Sequence, residues 1–221
     1  MFYYVEDKEF LRRAQSDSSR MLKRLEELLR EEYGINSQMF LVGSGGRNMV
    51  TQNEDEPIDF DYNLNIISCS DWDDVKGIKE SVRKALNRIM KDEGLSDVQD
   101  STSCLSTEPM WFKDDPNNKW SIDLCIVTKD TAGLWERLIH KKTGFSYLDR
   151  YYWNAAPNSE NCSEKANAIK TVPGWWDVVR DEYLDIKNKY LRSNDNDHPS
   201  FVCYNEAVSN VYNEMKTKGI L

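Results

Sequence analysis

Apolar and polar residues alternate most regularly in the segment that begins at Ile58. The apolar members are Ile58, Phe60, Tyr62, Leu64 and Ile66, and the polar members are Asp59, Asp61, Asn63 and Asn65. Successive side chains of a strand point to opposite faces, so this alternation predicts a strand with one buried face and one polar face.

Two further segments have the composition of buried strands. Asp123 has an apolar neighbour on either side within the stretch from Trp120 to Val127. The stretch from Gln38 to Val42 is mostly apolar and runs directly into a glycine-rich turn that begins at Gly43. Both stretches predict strands that contribute to the same core.

Apolar residues at helical spacing mark two long segments in the first half of the chain. The first covers residues 9–32, and Gly34 is a plausible stop. The second covers residues 75–90, with Asp71 as the expected N-cap and Gly94 just beyond its end. Each segment predicts an amphipathic helix that packs on the strands.

The second part of the chain has a different pattern. An aromatic and basic segment, residues 134–155, favours a hairpin, with two short helices as the alternative. Ser or Pro signals begin three expected helices at 163–171, 173–191 and 199–218. The sequence therefore predicts an α+β protein, with a mixed-sheet head and its N-terminal helix in residues 1–132. The hairpin and a helical C-terminal region follow in residues 133–221.

Charge and hydropathy restrict the partners. The chain has 38 acidic and 29 basic residues, a net charge of -9, and a mean hydropathy of -0.72. Such a surface repels long nucleic acid, and no segment has the apolar length of a membrane span. We therefore expect no membrane association and no long nucleic-acid partner.

Cysteine and histidine positions give no metal motif. The five cysteines contain no C-x-x-C pair, and the N-terminus lacks a signal-peptide pattern, so we expect reduced thiols and a cytoplasmic location. His140 and His198 have no cysteine or carboxylate at ligand spacing. A zinc site is not expected, and these histidines are interpreted as surface or structural residues.

The polar face of the first strand carries the candidate chemistry. Asp59 and Asp61 project to the same face, and Asp123 on a neighbouring strand would add a third carboxylate. Hard oxygen ligands of this kind suit Mg²⁺ or Mn²⁺, and two such ions lie about 3.5–4 Å apart in two-metal sites. The alternative interpretation of the pair is an ordinary solvated strand face.

The glycine-rich turn is the second candidate feature. Gly43-Ser44-Gly45-Gly46 lets backbone N–H groups approach phosphate oxygens, and the Ser44 hydroxyl adds a donor, while Arg47 could also contact phosphate. The turn does not match a Walker loop, a dinucleotide fingerprint or a nucleophile elbow. Considered alone, it is more typical of an ordinary glycine-rich turn than of a phosphate site.

Together these residues resemble the nucleotidyltransferase superfamily related to DNA polymerase beta, which includes antibiotic nucleotidyltransferases, CCA-adding enzymes and oligoadenylate-synthase-like proteins. The pattern is a strand that ends in Gly-Ser, a strand with Asp-x-Asp and a later strand with one more Asp. Here those positions are Gly43-Ser44, Asp59-Phe60-Asp61 and Asp123. The resemblance covers roughly residues 38–127 and implies a nucleotidyltransferase-fold head.

The resemblance also implies an activity, in which an acceptor hydroxyl attacks the alpha phosphorus of a metal-bound nucleoside triphosphate and pyrophosphate leaves. Asp59 and Asp61 would be metal ligands, and Asp123 a ligand or general base, with ATP as the favoured nucleotide. The acidic surface favours a small-molecule acceptor with a hydroxyl group. Two alternatives stay open: synthesis of a short or cyclic oligonucleotide signal, and a non-catalytic nucleotide-binding or antitoxin-type module.

Overall fold

The computed structural model describes residues 1–156, 160–193 and 199–221, so the expectation for His198 lies outside the described residues. The strands are β1 (Phe2–Tyr4), β2 (Asn36–Leu41), β3 (Thr51–Asn53), β4 (Ile58–Ser68), β5 (Gln99–Asp100), β6 (Cys104–Ser106), β7 (Met110–Phe112), β8 (Asp115–Lys129), β9 (Trp135–Lys141) and β10 (Arg150–Ala155). The helices are α1 (Lys8–Tyr33), α2 (Gly43–Gly46), α3 (Val75–Asp92), α4 (Glu160–Lys170), α5 (Trp175–Arg192) and α6 (Ser200–Thr217).

The main sheet has the strand order β10-β9-β8-β4-β2. Strands β4 and β8 are parallel, whereas the β2–β4, β8–β9 and β9–β10 pairs are antiparallel. Two short strands, β6 and β7, pair antiparallel with different parts of β8, and β5 pairs with β6. The predicted α+β class with a mixed sheet is therefore confirmed, and so is the predicted hairpin, which is β9–β10.

Helices α1 and α3 pack on the apolar face of this sheet. Asp7 caps α1 by accepting a hydrogen bond from the backbone N–H of Phe10, and Gly34 ends it in the left-handed conformation. The Phe10 ring meets Trp120 of β8 edge to face, with 6.2 Å between ring centroids. The apolar stripe that predicted the helix is thus the surface that packs on the strands.

Three local expectations need correction. Asp74, not Asp71, caps α3, because the Asp74 carboxylate accepts the Gly77 N–H, whereas Asp71 accepts N–H groups of the preceding turn. Strand β8 begins at Asp115, earlier than expected, because its first half folds back against β7. The glycine-rich turn forms the four-residue helix α2.

The chain divides into two compact units. The sheet unit contains residues 6–47 and 55–156, and the helical unit contains residues 1–5, 48–54 and 157–221. The predicted domain boundary between residues 132 and 133 concerns domain organisation and stays a prediction. In the described part of the chain, no helix has both the length and the apolar character needed to cross a bilayer.

The helical unit has its own core. Helices α4, α5 and α6 are all present near their predicted positions, and they bury apolar side chains that include Ile169, Val179 and Val208. The sequence did not predict that β1 pairs antiparallel with β3 in this unit. Asn188 of α5 fixes that pair, since its side chain accepts from the Phe2 N–H and donates to the Phe2 carbonyl.

Candidate active site

Two neighbouring parallel strands, β4 and β8, carry the three candidate aspartates. In their register Asp61 lies opposite Asp123, and Asp59 lies opposite Ser121. Residues two apart in a strand share a face, so the three carboxylates stand side by side. Between Asp59 and Asp61, Phe60 is wholly buried on the other face and fixes the direction of both. We call Asp59, Asp61 and Asp123 the β4–β8 carboxylates; their catalytic and metal-binding roles stay predictions.

Two serines that the sequence analysis missed hold the outer carboxylates. The Ser121 hydroxyl donates a hydrogen bond to Asp59 Oδ1, and the Ser106 hydroxyl of β6 donates to Asp123 Oδ1 at 2.5 Å. Ser121 could have been found, because it stands two residues before Asp123 and therefore shares its face. Ser106 gave no such signal, since it belongs to a three-residue strand whose pairing is not local.

The central carboxylate, Asp61, is in an unfavourable electrostatic environment. Burial, followed by the charges of Asp123 and Asp59, raises the pKa of Asp61 from its usual 3.8 to about 6, although Arg47 acts in the opposite direction. The pKa is raised overall, so burial and negative neighbours outweigh the positive charge of Arg47. Such a group gains stability from an added cation.

Helix α2 brings the glycine-rich turn against Asp61. Gly43 has a φ of +60°, and a Cβ atom added to it would lie 2.0 Å from Asp61 Oδ2. The backbone N–H of Val42 donates to the Asp61 carbonyl at 2.9 Å. Only glycine combines this left-handed conformation with such a close approach, so the turn and the carboxylate form one local arrangement.

The other two residues predicted to bind nucleotide belong to the same turn. Arg47 donates from Nη1 to the Gly43 carbonyl at 2.8 Å, which holds its guanidinium beside the turn. Ser44 lies within α2, and its carbonyl accepts the Arg47 backbone N–H at 3.2 Å. The structure thus groups Gly43, Ser44 and Arg47 next to Asp61, and their contact with phosphate stays a prediction.

The donor set fits a hard divalent cation. Within the described ranges, no three or more His, Cys, Asp or Glu side chains are already arranged as a metal site. Ser121 and Ser106 each engage one oxygen of Asp59 and Asp123, respectively. Burial, followed by repulsion from Asp123 and Asp59, raises the pKa of Asp61, and a bound cation would offset both effects. The chemistry of these oxygen donors therefore suits Mg²⁺ or Mn²⁺.

A second acidic cluster lies in the same unit and has a different character. Lys79 of α3 is only 2% exposed, and its Nζ lies 2.6 Å from Asp100 Oδ1. His140 bridges two acids, with Nδ1 2.8 Å from Asp100 Oδ2 and Nε2 3.0 Å from Asp149 Oδ2. We call Lys79, Asp100, His140 and Asp149 the Lys79 cluster; the interpretation of His140 as a structural residue agrees with these contacts.

In the Lys79 cluster the carboxylate pKa values are lowered, the opposite of the change at Asp61. Burial acts to raise the pKa of Asp100, but the hydrogen bond and charge of Lys79, with those of His140, lower it below its usual value. The Thr143 backbone N–H and His140 lower the pKa of Asp149. These carboxylates are stabilised in their charged form by the protein itself.

Comparison with known proteins gives matches at the level of structure. No family model matches the chain, and no curated protein matches it in sequence. The structure of Escherichia coli MS115-1 CdnC with ATP is 15% identical, with 92% of this chain and 61% of that chain covered and a TM-score of 0.53. Elizabethkingia meningoseptica CdnE, a cyclic dinucleotide synthase with GTP and Apcpp, is 17% identical, with 92% and 78% covered and a TM-score of 0.51.

A third match is a mutant of Vibrio cholerae di-nucleotide cyclase, DncV, in complex with ATP and GTP. It is 8% identical, with 83% of this chain and 64% of that chain covered and a TM-score of 0.58. The chain therefore spans less than two thirds of the length of CdnC and DncV. At these identities the matches show the fold. This chain has the nucleotidyltransferase fold, as the resemblance implied.

Proposed function

We propose that the chain is a metal-dependent nucleotidyltransferase that moves a nucleoside monophosphate from a nucleoside triphosphate to a hydroxyl group. The observation that carries the proposal is the register of β4 with β8, which aligns Asp59, Asp61 and Asp123 on one face. The turn at Gly43 adjoins the same carboxylates. Carboxylates that can hold a metal ion, beside a glycine turn whose N–H groups can approach phosphate, are two features that this chemistry uses.

Each residue has a defined task in the proposed reaction. Asp59 and Asp61 would hold the cation, and Asp123 would either be a further ligand or accept the proton of the attacking hydroxyl. Gly43, Ser44 and Arg47 bind the triphosphate through N–H, hydroxyl and guanidinium donors. Mg²⁺ or Mn²⁺, when bound, supplies positive charge to the phosphate oxygens. The hydroxyl oxygen bonds to the alpha phosphorus, the bond from that phosphorus to the bridging oxygen breaks, and pyrophosphate leaves.

Two classes of acceptor are consistent with this site. The net charge of -9 favours the encounter of a cationic small molecule that carries a hydroxyl group. A second nucleotide is supported by the fold matches, because CdnE was solved with GTP and Apcpp and is named a cyclic dinucleotide synthase, and DncV was solved with ATP and GTP. Of the two, the fold matches favour the nucleotide, so a short or cyclic oligonucleotide is the product to test first.

The first experiment measures nucleotide binding without assuming an acceptor. We expect thermal unfolding of the wild type to shift upward with at least one of ATP, GTP, CTP and UTP in the presence of Mg²⁺. At a concentration about 100 times Kd, the stabilisation is about 2.7 kcal/mol, or roughly 5–11 °C. Asp59→Asn and Asp61→Asn should lose this shift.

Asp92→Asn is the matched control. It removes one aspartate from the surface of α3, where Asp92 pairs with Arg24 at 2.9 Å, and α3 packs on the other face of the sheet. This variant should keep the shift. A wild type that shifts with no triphosphate in Mg²⁺ or Mn²⁺ contradicts the proposal.

Product analysis then distinguishes the acceptors. Incubation with ATP and GTP alone, followed by mass spectrometry, detects linear or cyclic oligonucleotides and the pyrophosphate released with them. Pyrophosphate release that requires an added aminoglycoside or another hydroxyl compound would identify the small-molecule acceptor instead. Metal-dependent binding without turnover in either assay would favour the non-catalytic alternative.

The expected cytoplasmic location also belongs to this proposal. Nucleoside triphosphates are cytoplasmic substrates, and a cytoplasmic enzyme would keep its cysteines reduced. Fractionation of cells that express the chain, probed for the protein beside a cytoplasmic marker, tests this location.

A further inference from the structure

Two cysteines face each other across neighbouring strands of the sheet unit. Cys104 of β6 lies opposite Cys125 of β8 in antiparallel register. Both side chains are half-buried, and both are thiols in the structure. The proposed transfer reaction uses neither residue.

The hydrogen-bond pattern shows which kind of cross-strand pair they form. The Thr107 N–H donates to the Ile122 carbonyl at 2.9 Å, which makes residues 107 and 122 a hydrogen-bonded pair. Pairs alternate along an antiparallel ladder, so Cys104 and Cys125, three positions further on, form a non-hydrogen-bonded pair. Cα atoms of such pairs are about 4.5 Å apart, with their side chains close together.

That separation is compatible with a disulfide. Cα atoms of disulfide-bonded cysteines usually lie about 4.4–6.8 Å apart. The adjacent non-hydrogen-bonded pair shows that side chains on this face do meet, because Ser106 Oγ lies 2.5 Å from Asp123 Oδ1. Cys104 Sγ is itself oriented by the hydroxyl of Ser101, 3.3 Å away.

From this geometry we propose that Cys104 and Cys125 are a modification site, at which a low-molecular-weight disulfide such as oxidised glutathione converts the two thiols to an intramolecular disulfide. One cysteine sulfur attacks the small disulfide and forms a mixed disulfide, and one small thiol leaves. The second cysteine sulfur then attacks the protein sulfur of that mixed disulfide, and the second small thiol leaves. The protein loses two protons and two electrons, and the oxidant gains both as two thiols.

The other cysteines differ from this pair in position or in burial. Cys69 lies just beyond the end of β4, and the strand registers place no cysteine opposite it in the described residues. Cys162 and Cys203 are buried in the core of the helical unit. A small oxidant should therefore react selectively at the Cys104–Cys125 pair in the folded protein.

The sequence allows a direct test by peptide mapping. Trypsin cleaves after Lys113 and Lys119, so Cys104 and Cys125 fall in different peptides, residues 92–113 and 120–129. We expect native wild-type protein treated with oxidised glutathione to yield these two peptides joined by a disulfide, with the mass of the intact chain lower by two hydrogens. Dithiothreitol should restore both thiols.

Variants and a denatured sample complete the test. Cys104→Ser and Cys125→Ser should each abolish the joined peptide, and the matched control Cys69→Ser should retain it. Oxidation in urea should distribute the bonds over several cysteine pairs. If the native protein gives only separate glutathione adducts, or joins Cys69 in preference, the inference is wrong. These results depend on no nucleotide or metal, so they are independent of the proposed transfer activity.

Discussion

The two acidic clusters of the sheet unit differ in how their charge is balanced. In the Lys79 cluster, a buried lysine and a histidine contact the carboxylates, and the pKa values of Asp100 and Asp149 are lowered. Among the β4–β8 carboxylates, burial and repulsion from its neighbours raise the pKa of Asp61 to about 6. Basic side chains in direct contact balance the charge of the first cluster, whereas in the second the charge of Arg47 does not outweigh the burial of Asp61 and the repulsion from its neighbours.

This difference teaches which cluster to associate with function. A carboxylate that basic neighbours neutralise contributes to the stability of the fold. Carboxylates that repel one another reduce that stability, and such groups are found most often at functional sites. The β4–β8 carboxylates should therefore affect ligand binding, and the Lys79 cluster should affect folding. The four predictions below test this separation.

The largest expected effect is on activity. Asp61→Asn removes the central charge, and we expect nucleotidyl transfer to fall at least about 1000-fold, which corresponds to about 4 kcal/mol of barrier. Pyrophosphate release from a mixture of ATP and GTP in Mg²⁺ measures the rate. Asp92→Asn should transfer at the wild-type rate, and a wild-type rate for Asp61→Asn would remove Asp61 from the proposed mechanism.

The second prediction concerns removal of the buried lysine from the Lys79 cluster. Lys79→Met leaves Asp100 partly buried without its nearest cation, and we expect the free energy of unfolding to fall by about 3 kcal/mol. Urea denaturation measures this loss. Arg24→Met, which removes ion pairs to Asp92 and Glu93 from a side chain that is 39% exposed, should cost less than about 1 kcal/mol. Equal losses of unfolding free energy in the two variants would show that the buried Lys79–Asp100 pair stabilises the fold no more than an exposed ion pair does.

The sequence was sufficient where structure depends on local periodicity. The alternation from Ile58 to Ile66 predicted β4 and placed Asp59 and Asp61 on one face, and the helical spacing in residues 9–32 predicted α1. Both patterns arise because one face of the element must be buried. The alternation around Asp123 indicated a third carboxylate on a neighbouring strand, and the resemblance implied the same position.

Features that depend on contacts between distant segments were not predictable. No local pattern indicates that β4 and β8 pair in the register that sets Asp61 beside Asp123, or that Ser106 contacts Asp123. Lys79 looks like any solvated lysine of an amphipathic helix, yet it is buried because its charge meets Asp100. The approach of Gly43 to Asp61 likewise exists only after the strands have paired.

The third prediction concerns the pH dependence of stability in a chelator. The folded-state pKa of Asp61 is raised from 3.8 to about 6, so its stabilising contribution is complete below pH 3.8 and is lost as the pH rises through 6. Asp61→Asn removes this dependence. At pH 7 the variant should be more stable than the wild type by about 2 kcal/mol, after allowance for partial exposure. The gain should vanish near pH 4.

The Lys79 cluster should show the opposite sign. The pKa of Asp100 is lowered in the folded state, so its contribution is present above the usual pKa and is lost as the pH falls. Asp100→Asn should therefore destabilise the protein at pH 7. Urea midpoints for both variants between pH 4 and pH 8 measure the difference, and a gain in stability from both substitutions would contradict the contrast between the clusters.

The smallest expected effect separates backbone strain from contact with the carboxylate. Gly43→Ala and Gly34→Ala place alanine at nearly the same φ, +60° and +63°, so both should cost about 1–2 kcal/mol for the left-handed conformation. At Gly34 no atom lies within 4 Å of an added Cβ, whereas at Gly43 that Cβ would lie 2.0 Å from Asp61 Oδ2. We expect Gly43→Ala to cost about 1 kcal/mol more in urea denaturation.

Gly43→Ala alone should also weaken the Mg²⁺-dependent triphosphate shift, because the displaced carboxylate and the turn belong to the same site. Equal losses of stability with an unchanged shift in both variants would mean that Asp61 moves aside freely, and that the contact with Gly43 does not hold the carboxylate in place.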